Sequence, residues 1–169
     1  MFKISRLNLE LDNTLQQLYT VLQQAYQVEA QLLGAKNFPP LQRSVADIRQ
    51  SDGKFYGLWL QDTLAAALEL EIIEQQCWIQ SLVVMPSCFR RGYGRSLLQE
   101  ILRRYNRIES RVQTGANNTA AIKLYQGLGF YIVQHWQTGD GIDMVTLRKA
   151  ANPDQERTLV RPRPSRRRR

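Results

Sequence analysis

Hydrophobic and polar positions alternate with two different periods along this chain. From Leu11 to Gly34, apolar residues return at Leu15, Leu18, Leu22, Tyr26 and Ala30, near helical spacing, and Gly34 is a natural stop. Ahead of that helix, "FKISRLNL" alternates with period two and predicts a short first strand. Pro39 and Pro40 lack amide hydrogens, so "NFPPL" breaks any helix, and "LQRSVADIRQSDG" predicts a second short helix closed by Gly53. Three strand-like runs follow, "KFYGLWLQ", "TLAAALELEII" and "QCWIQSLVVM". The polar joints at Gln61-Asp62 and Glu74 to Gln76 make them antiparallel neighbours.

The second half repeats the alternation on a larger scale. Leu97, Leu98, Ile101, Leu102 and Tyr105 share one face of an amphipathic helix. "ESRVQTG" predicts a strand, and "NNTAAIKLYQGLGF" a helix with an Asn or Thr cap and a Gly stop. "YIVQHWQT" and "IDMVTLRK" predict a last hairpin turning at Gly139-Asp140-Gly141. The order β, α, α, β, β, β, α, β, α, β, β is solved most simply by a mixed α/β (α+β type) fold. Its sheet is mostly antiparallel, with one parallel pairing across a β-α-β unit.

Composition narrows the class. With 43% hydrophobic and 22% charged residues in a chain of 169, one globular domain over residues 1–150 is expected. No apolar run approaches the ~18 residues of a membrane span, and "MFKISRLNLELD" lacks the apolar core of a secretory signal. Cys77 and Cys88 have no metal-ligand spacing, which fits reduced thiols in a cytoplasmic protein without a metal. The net charge of +8 is mostly local. Residues 151–169 hold seven arginines against one Asp and one Glu, so the body is nearly balanced. That Pro/Arg-rich tail has no apolar periodicity and is expected to be disordered, touching nucleic acid or acidic surfaces weakly through charge alone.

The segment "PSCFRRGYGRSLL" raises a question of its own. A strand, a glycine turn and a helix start together make an anion site, because first-turn amides have no partners and the helix dipole adds positive charge. Gly92 and Gly94 remove Cβ atoms that would hold a diphosphate away, and Arg91 and Arg95 can neutralise it. The expected ligand of this loop is a pyrophosphate; the alternative is a tight turn with solvated arginines. The third glycine of a dinucleotide fingerprint and the Lys-Ser/Thr of a P-loop are both missing.

Downstream stands Asn118-x-x-Ala121-Ile122-x-Leu124-Tyr125-x-x-x-Gly129-Phe130. Together with "LVVMPSCFRRGYGRSLL", it resembles the GCN5-related N-acetyltransferase (GNAT) superfamily over roughly residues 53 to 148. The resemblance implies a GNAT fold of about seven strands and four helices, with acetyl-CoA as cosubstrate. It assigns the main chain of Leu82, Val83 and Val84 to the pantetheine arm. It gives the loop Arg90, Arg91, Gly92, Tyr93, Gly94, Arg95 and Ser96 to the pyrophosphate. Asn118 would meet the pantetheine or phosphate end, and Tyr125 would lie near the thioester sulfur as general acid. One departure is Phe89, where the family usually has Gln or Arg; Arg90 and Arg91 keep the charge. A homodimer through the last strands is a further implication.

Acetyl transfer to an amine needs a neutral nucleophile, a polarised carbonyl and a protonated leaving thiolate. A lysine-like amine is neutral in only about one molecule in 10³ at pH 7, so a base or water chain is required. In ribosomal-protein alanine acetyltransferases, a branch of the superfamily, a Glu lies five residues before the motif Asn; here that position is Gln113, which cannot be a base. Glu69 and Glu71 share one face of their strand, either as base or as ordinary exposed residues. His135 is the sole histidine, more readily a surface residue than a base. Tyr26, Glu29, Phe38, Pro39 and Leu41 are candidates to wall the acceptor cleft, with Glu29 able to attract a cationic amine. The expected function is acetyl-CoA-dependent N-acetylation of a primary amine by direct attack on the thioester. The alternative is an acyl-CoA-binding sensor of the same fold.

Overall fold

The computed structural model describes residues 1–152. Seven strands form one sheet in the order β1-β2-β3-β4-β5-β7-β6. They are β1 Lys3–Arg6, β2 Lys54–Leu60, β3 Thr63–Ile73, β4 Gln76–Val84, β5 Glu109–Gly115, β6 Tyr131–Gln137 and β7 Asp143–Lys149. Four helices flank it: α1 Asp12–Leu33, α2 Val45–Arg49, α3 Tyr93–Arg104 and α4 Thr119–Gly127. This is the mixed, mostly antiparallel architecture expected, and β4 with β5 is its one parallel pair.

Each face of the sheet has its own core. α1 lays Leu15, Leu18 and Leu22 against Phe55, Leu64 and Ala67. On the other face, Leu97, Leu98 and Ile101 of α3 meet Leu58, Leu68 and Leu70. Along β3, Ala66, Leu68 and Leu70 face the α3 core and Ala67 the α1 core, while an extra residue at Ala65, between the pairs Leu58–Ala66 and Trp59–Leu64, shifts the alternation so that Leu64 also joins the α1 core. The β3–β4 hairpin turns through Glu74 and Gln75, both at positive φ, which suits the right-handed twist of the strands it joins.

Two local readings are corrected. The first strand ends at Arg6, not Leu9. Residues 41–53 do not make one helix: Pro39–Gln42 form a 3-10 turn, Arg43 is extended, and Ser44 starts α2 with a capping box to Asp47. Proline is tolerated at the first positions of a helical turn, so Pro39 and Pro40 open that turn. No helix among the described residues is long and apolar enough to cross a membrane. The arginine-rich tail expected to be disordered lies, from residue 153 onward, outside the described residues.

The site depends on where β4 and β5 stop pairing. Their register runs only from Gln76 opposite Glu109 to Ile79 opposite Val112. β4 carries a bulge here, since Leu70 faces Ile79 while Glu69 faces Ser81. Beyond it the strands part. Leu82, Val83 and Val84 stay paired to β3 on one side and have no strand on the other.

Candidate active site

The gap between the parted strands opens into two adjoining clefts. One, about 500 Å³, is bounded by Leu82 to Val84, the loop at Phe89 and Arg90, the first turn of α3, and Ala120 and Leu124 of α4. The other, about 330 Å³, lies towards α1, the 3-10 turn and the β6–β7 loop. Glu29, Leu82, Asn118 and Ala121 line both.

The larger cleft has the features of an anion cradle. Gly92 caps α3 at φ 77°, and no side chain occupies its capping position. A Cβ at Gly92 would point into open space, so nothing of the chain fills the region in front of the helix start. The Ser96 amide bonds the Gly92 carbonyl at 2.9 Å. The free first-turn amides therefore end before Ser96, whose amide belongs to the helix ladder, contrary to the expectation for that residue. Gly94 lines the cleft as expected, and it has a second role: its Cβ would lie 3.2 Å from Val84 Cγ2, so its glycine also lets α3 sit close on β4.

The arginines around this cradle divide. Arg90 and Arg95 line the cleft, while Arg91 is exposed beside it. Among the described residues, none of the three enters an ion pair. Arg90 holds φ 61°, a costly angle for a residue with a side chain, and such strain concentrates at sites of function. Tyr93 lines the same wall and stacks edge-on with Phe2, centroids 6.1 Å apart. Phe89 is 42% exposed and lines the cleft.

Where the clefts meet, three ionisable side chains converge. Tyr125 of α4 is only 4% exposed and packs edge-on against Phe130 at 5.5 Å. Its hydroxyl has no hydrogen-bond partner among the described residues, yet it is not sealed, because Tyr125 lines the smaller cleft. Burial holds its phenol far above the ordinary range, and Glu29 and Tyr26 add to the shift. Burial likewise raises Tyr26, with a Ser81 hydrogen bond opposing it. Glu29 is raised by burial, and a hydrogen bond from Asn118 pulls it part of the way back. The Asn118 side-chain oxygen caps α4 by accepting from the Ala121 amide at 3.2 Å, which leaves its amide group for Glu29.

The remaining carboxylates are placed differently. Glu69 is 3% exposed, so the reading of it as an ordinary exposed residue does not hold. Its two oxygens bind Arg43, and with Glu71 it lines a recess that adjoins the smaller cleft through Tyr26, Pro39, Pro40 and Gln80. Neither lines the cleft that holds Tyr125. His135 is exposed on edge strand β6, opposite Val145. Gln113 lines the smaller cleft and donates to Thr146 Oγ1 at 3.4 Å. Phe38 packs edge-on with Tyr26 at 5.8 Å and forms one wall. Sequence reasoning missed Ser81, Trp78 and Asp140 in this lining. Only the strand bulge and the hairpin turn bring them there.

A strand opened at a bulge, an uncapped helix start and a tyrosine beside them on α4 thus border one pair of clefts. The profile of the acetyltransferase (GNAT) family matches residues 15–130, and the chain belongs to that family. The UPF0157 protein YqkA of Bacillus subtilis is 34% identical over 119 residues, covering 70% of this chain and 35% of that protein. The chain thus spans about a third of the length of that curated relative. The PaiA N-acetyltransferase of Thermoplasma acidophilum, solved in complex with coenzyme A, superimposes with a TM-score of 0.71 at 20% identity. The match covers 89% of this chain and 99% of that one. The ribosomal-protein-S18-alanine N-acetyltransferase of Escherichia coli gives 0.70 at 22% identity, covering 89% and 94%.

Proposed function

We propose that the protein is an acetyl-CoA-dependent N-acetyltransferase that acetylates a primary amine by direct attack on the thioester. The observation that carries this reading is the pair of adjoining clefts: an anion cradle in one, and in the other two carboxylates and a Tyr125 hydroxyl with no hydrogen-bond partner among the described residues.

The chain's residues fit the cosubstrate at each point. The free edge of Leu82 to Val84 offers backbone groups to an amide-bearing arm, as an added strand would. The amides before Ser96, with Arg90 and Arg95, suit a diphosphate. When bound, acetyl-CoA supplies an activated carbonyl whose C–S bond breaks as the amine's C–N bond forms. Glu29 draws in the ammonium and accepts the proton the nitrogen loses. Its raised carboxyl is a better base than an exposed one, and it stands at the mouth shared by both clefts. Tyr125 keeps its proton at neutral pH and donates it towards the departing sulfur. Tyr26 and Phe38 exclude water from the acceptor side. The two free thiols, Cys77 and Cys88, suit the reducing cytoplasm.

Calorimetry with coenzyme A and a thiol-release assay over a panel of amines test this. Heat of binding together with amine-dependent thiol release is expected. Absence of CoA binding removes the reading; binding without release under any amine leaves a CoA-binding sensor.

A further inference from the structure

The charge of the acceptor cleft runs against the charge of the chain. The sequence has 23 Lys and Arg against 15 Asp and Glu. Yet the only charged side chains lining the smaller cleft among the described residues are Glu29 and Asp140. The cations sit on the other side of the junction, with Arg90 and Arg95 on the cofactor cleft. Glu29 lies where this cleft adjoins the other, and Asp140 lies on the exposed β6–β7 turn. The rest of the lining is uncharged, with Phe38, Trp78, Ile142 and Met144 as its large apolar and aromatic walls and neutral polar groups such as Ser81 and Gln113 among them. A second observation marks this cleft as a ligand site: Tyr125 is 4% exposed and lines it, and among the described residues nothing hydrogen-bonds its hydroxyl.

We infer that the acceptor is a small amine carrying a second cationic group, a diamine or short polyamine. Its reacting nitrogen lies beside Glu29 and its distal ammonium beside Asp140. This rests on the acetyl-transfer reading and names its substrate class. Methylene carbons suit the apolar walls, and a cation at each end suits an acid at each end. The volume of about 330 Å³ holds about ten atoms of water's size, enough for a short polyamine. The same lining selects against acidic acceptors. A free amino acid would set its carboxylate next to Glu29, with no cation in the cleft to receive it.

The experiment uses the full chain with two matched amines, 1,4-diaminobutane and butylamine. Calorimetry on the coenzyme A-loaded protein measures their binding, and thiol release from acetyl-CoA measures their kcat/KM. The diamine is expected to lead by about fivefold in both, the size of a partly screened ion pair. Asp140→Asn is expected to collapse the diamine-to-monoamine ratio towards one, and high salt to shrink it. Equal binding of the two amines overturns the proposal whatever the turnover, as does a ratio that Asp140→Asn leaves unmoved. Preferential diamine binding without thiol release supports the dicationic cleft and overturns the acetyl-transfer reading instead.

Discussion

The Glu69 carboxylate holds the Arg43 guanidinium by two hydrogen bonds, 2.6 and 2.9 Å long, from a position almost wholly out of water. Ser51 donates a third bond to it at 2.8 Å. Arg43 follows directly on the 3-10 turn Pro39–Gln42 and lies over the Phe55 ring at 5.8 Å. The pair therefore ties the wall of the acceptor cleft to the middle of the sheet. A carboxylate so engaged is a fastener, and its strand alternation alone does not reveal that.

Replacing Glu69 separates the two roles. Glu69→Gln keeps the volume but leaves Arg43 without its counter-charge, so a loss of about 2 kcal/mol in urea unfolding is expected. Through the loosened turn, KM for the amine should rise more than kcat falls. A kcat drop of 100-fold or more with unchanged stability would instead make Glu69 the base.

Glu29→Gln is expected to act with opposite signs on catalysis and on stability. As general base, Glu29 should be worth about 10² to 10⁴ in kcat, and its loss should flatten the acid limb of the pH profile. For stability, the folded carboxyl titrates above its unfolded value. Its contribution is complete below the ordinary carboxylate range and lost as pH rises through the raised value. The variant should therefore match the parent in acid and melt higher than it near neutral pH. Thermal melts across that range, beside thiol-release rates, check both signs.

Gly92→Ala tests the anion cradle. The residue sits at φ 77°, where a side chain costs about 1 kcal/mol, and the new methyl would stand in the open space before α3. Coenzyme A affinity measured by calorimetry should fall by about tenfold or more, since a methyl there obstructs a diphosphate's approach. Gly94→Ala should instead register mainly in stability, because its methyl meets Val84.

Much of this was legible before any fold was known, and the reasons divide by distance along the chain. Leu15, Leu18, Leu22, Tyr26 and Ala30, the periodic apolar positions of α1, are all buried, because one helix face needs one period. Gly34 adopts the left-handed conformation that ends it. The β2–β3–β4 meander and the last hairpin followed from short polar turns. The unread parts are long-range. The bulge beside Glu69 parts β4 from β5, and no local pattern marks it. Glu29 and Asp140 line one cleft only because α1 and the β6–β7 turn border the same gap. Gly94 carries a second demand that no local motif shows, since a side chain there would also meet Val84, ten residues earlier on a strand.

Tyr125→Phe isolates the acid at the junction. The hydroxyl has no partner among the described residues, so removing it leaves no donor or acceptor stranded. Ring packing against Phe130 stays, and the melting temperature should hold or rise slightly. If the phenol protonates the leaving sulfur, kcat should fall by about 10² or more while coenzyme A binds as before. An acetyl donor with a more acidic leaving thiol should recover part of the lost rate, because such a thiolate needs less help to depart. Recovery with that donor, absent in the parent enzyme, would distinguish a lost proton from a disturbed cleft. An unchanged kcat would return Tyr125 to the core as an aromatic that merely fills the inner face of α4.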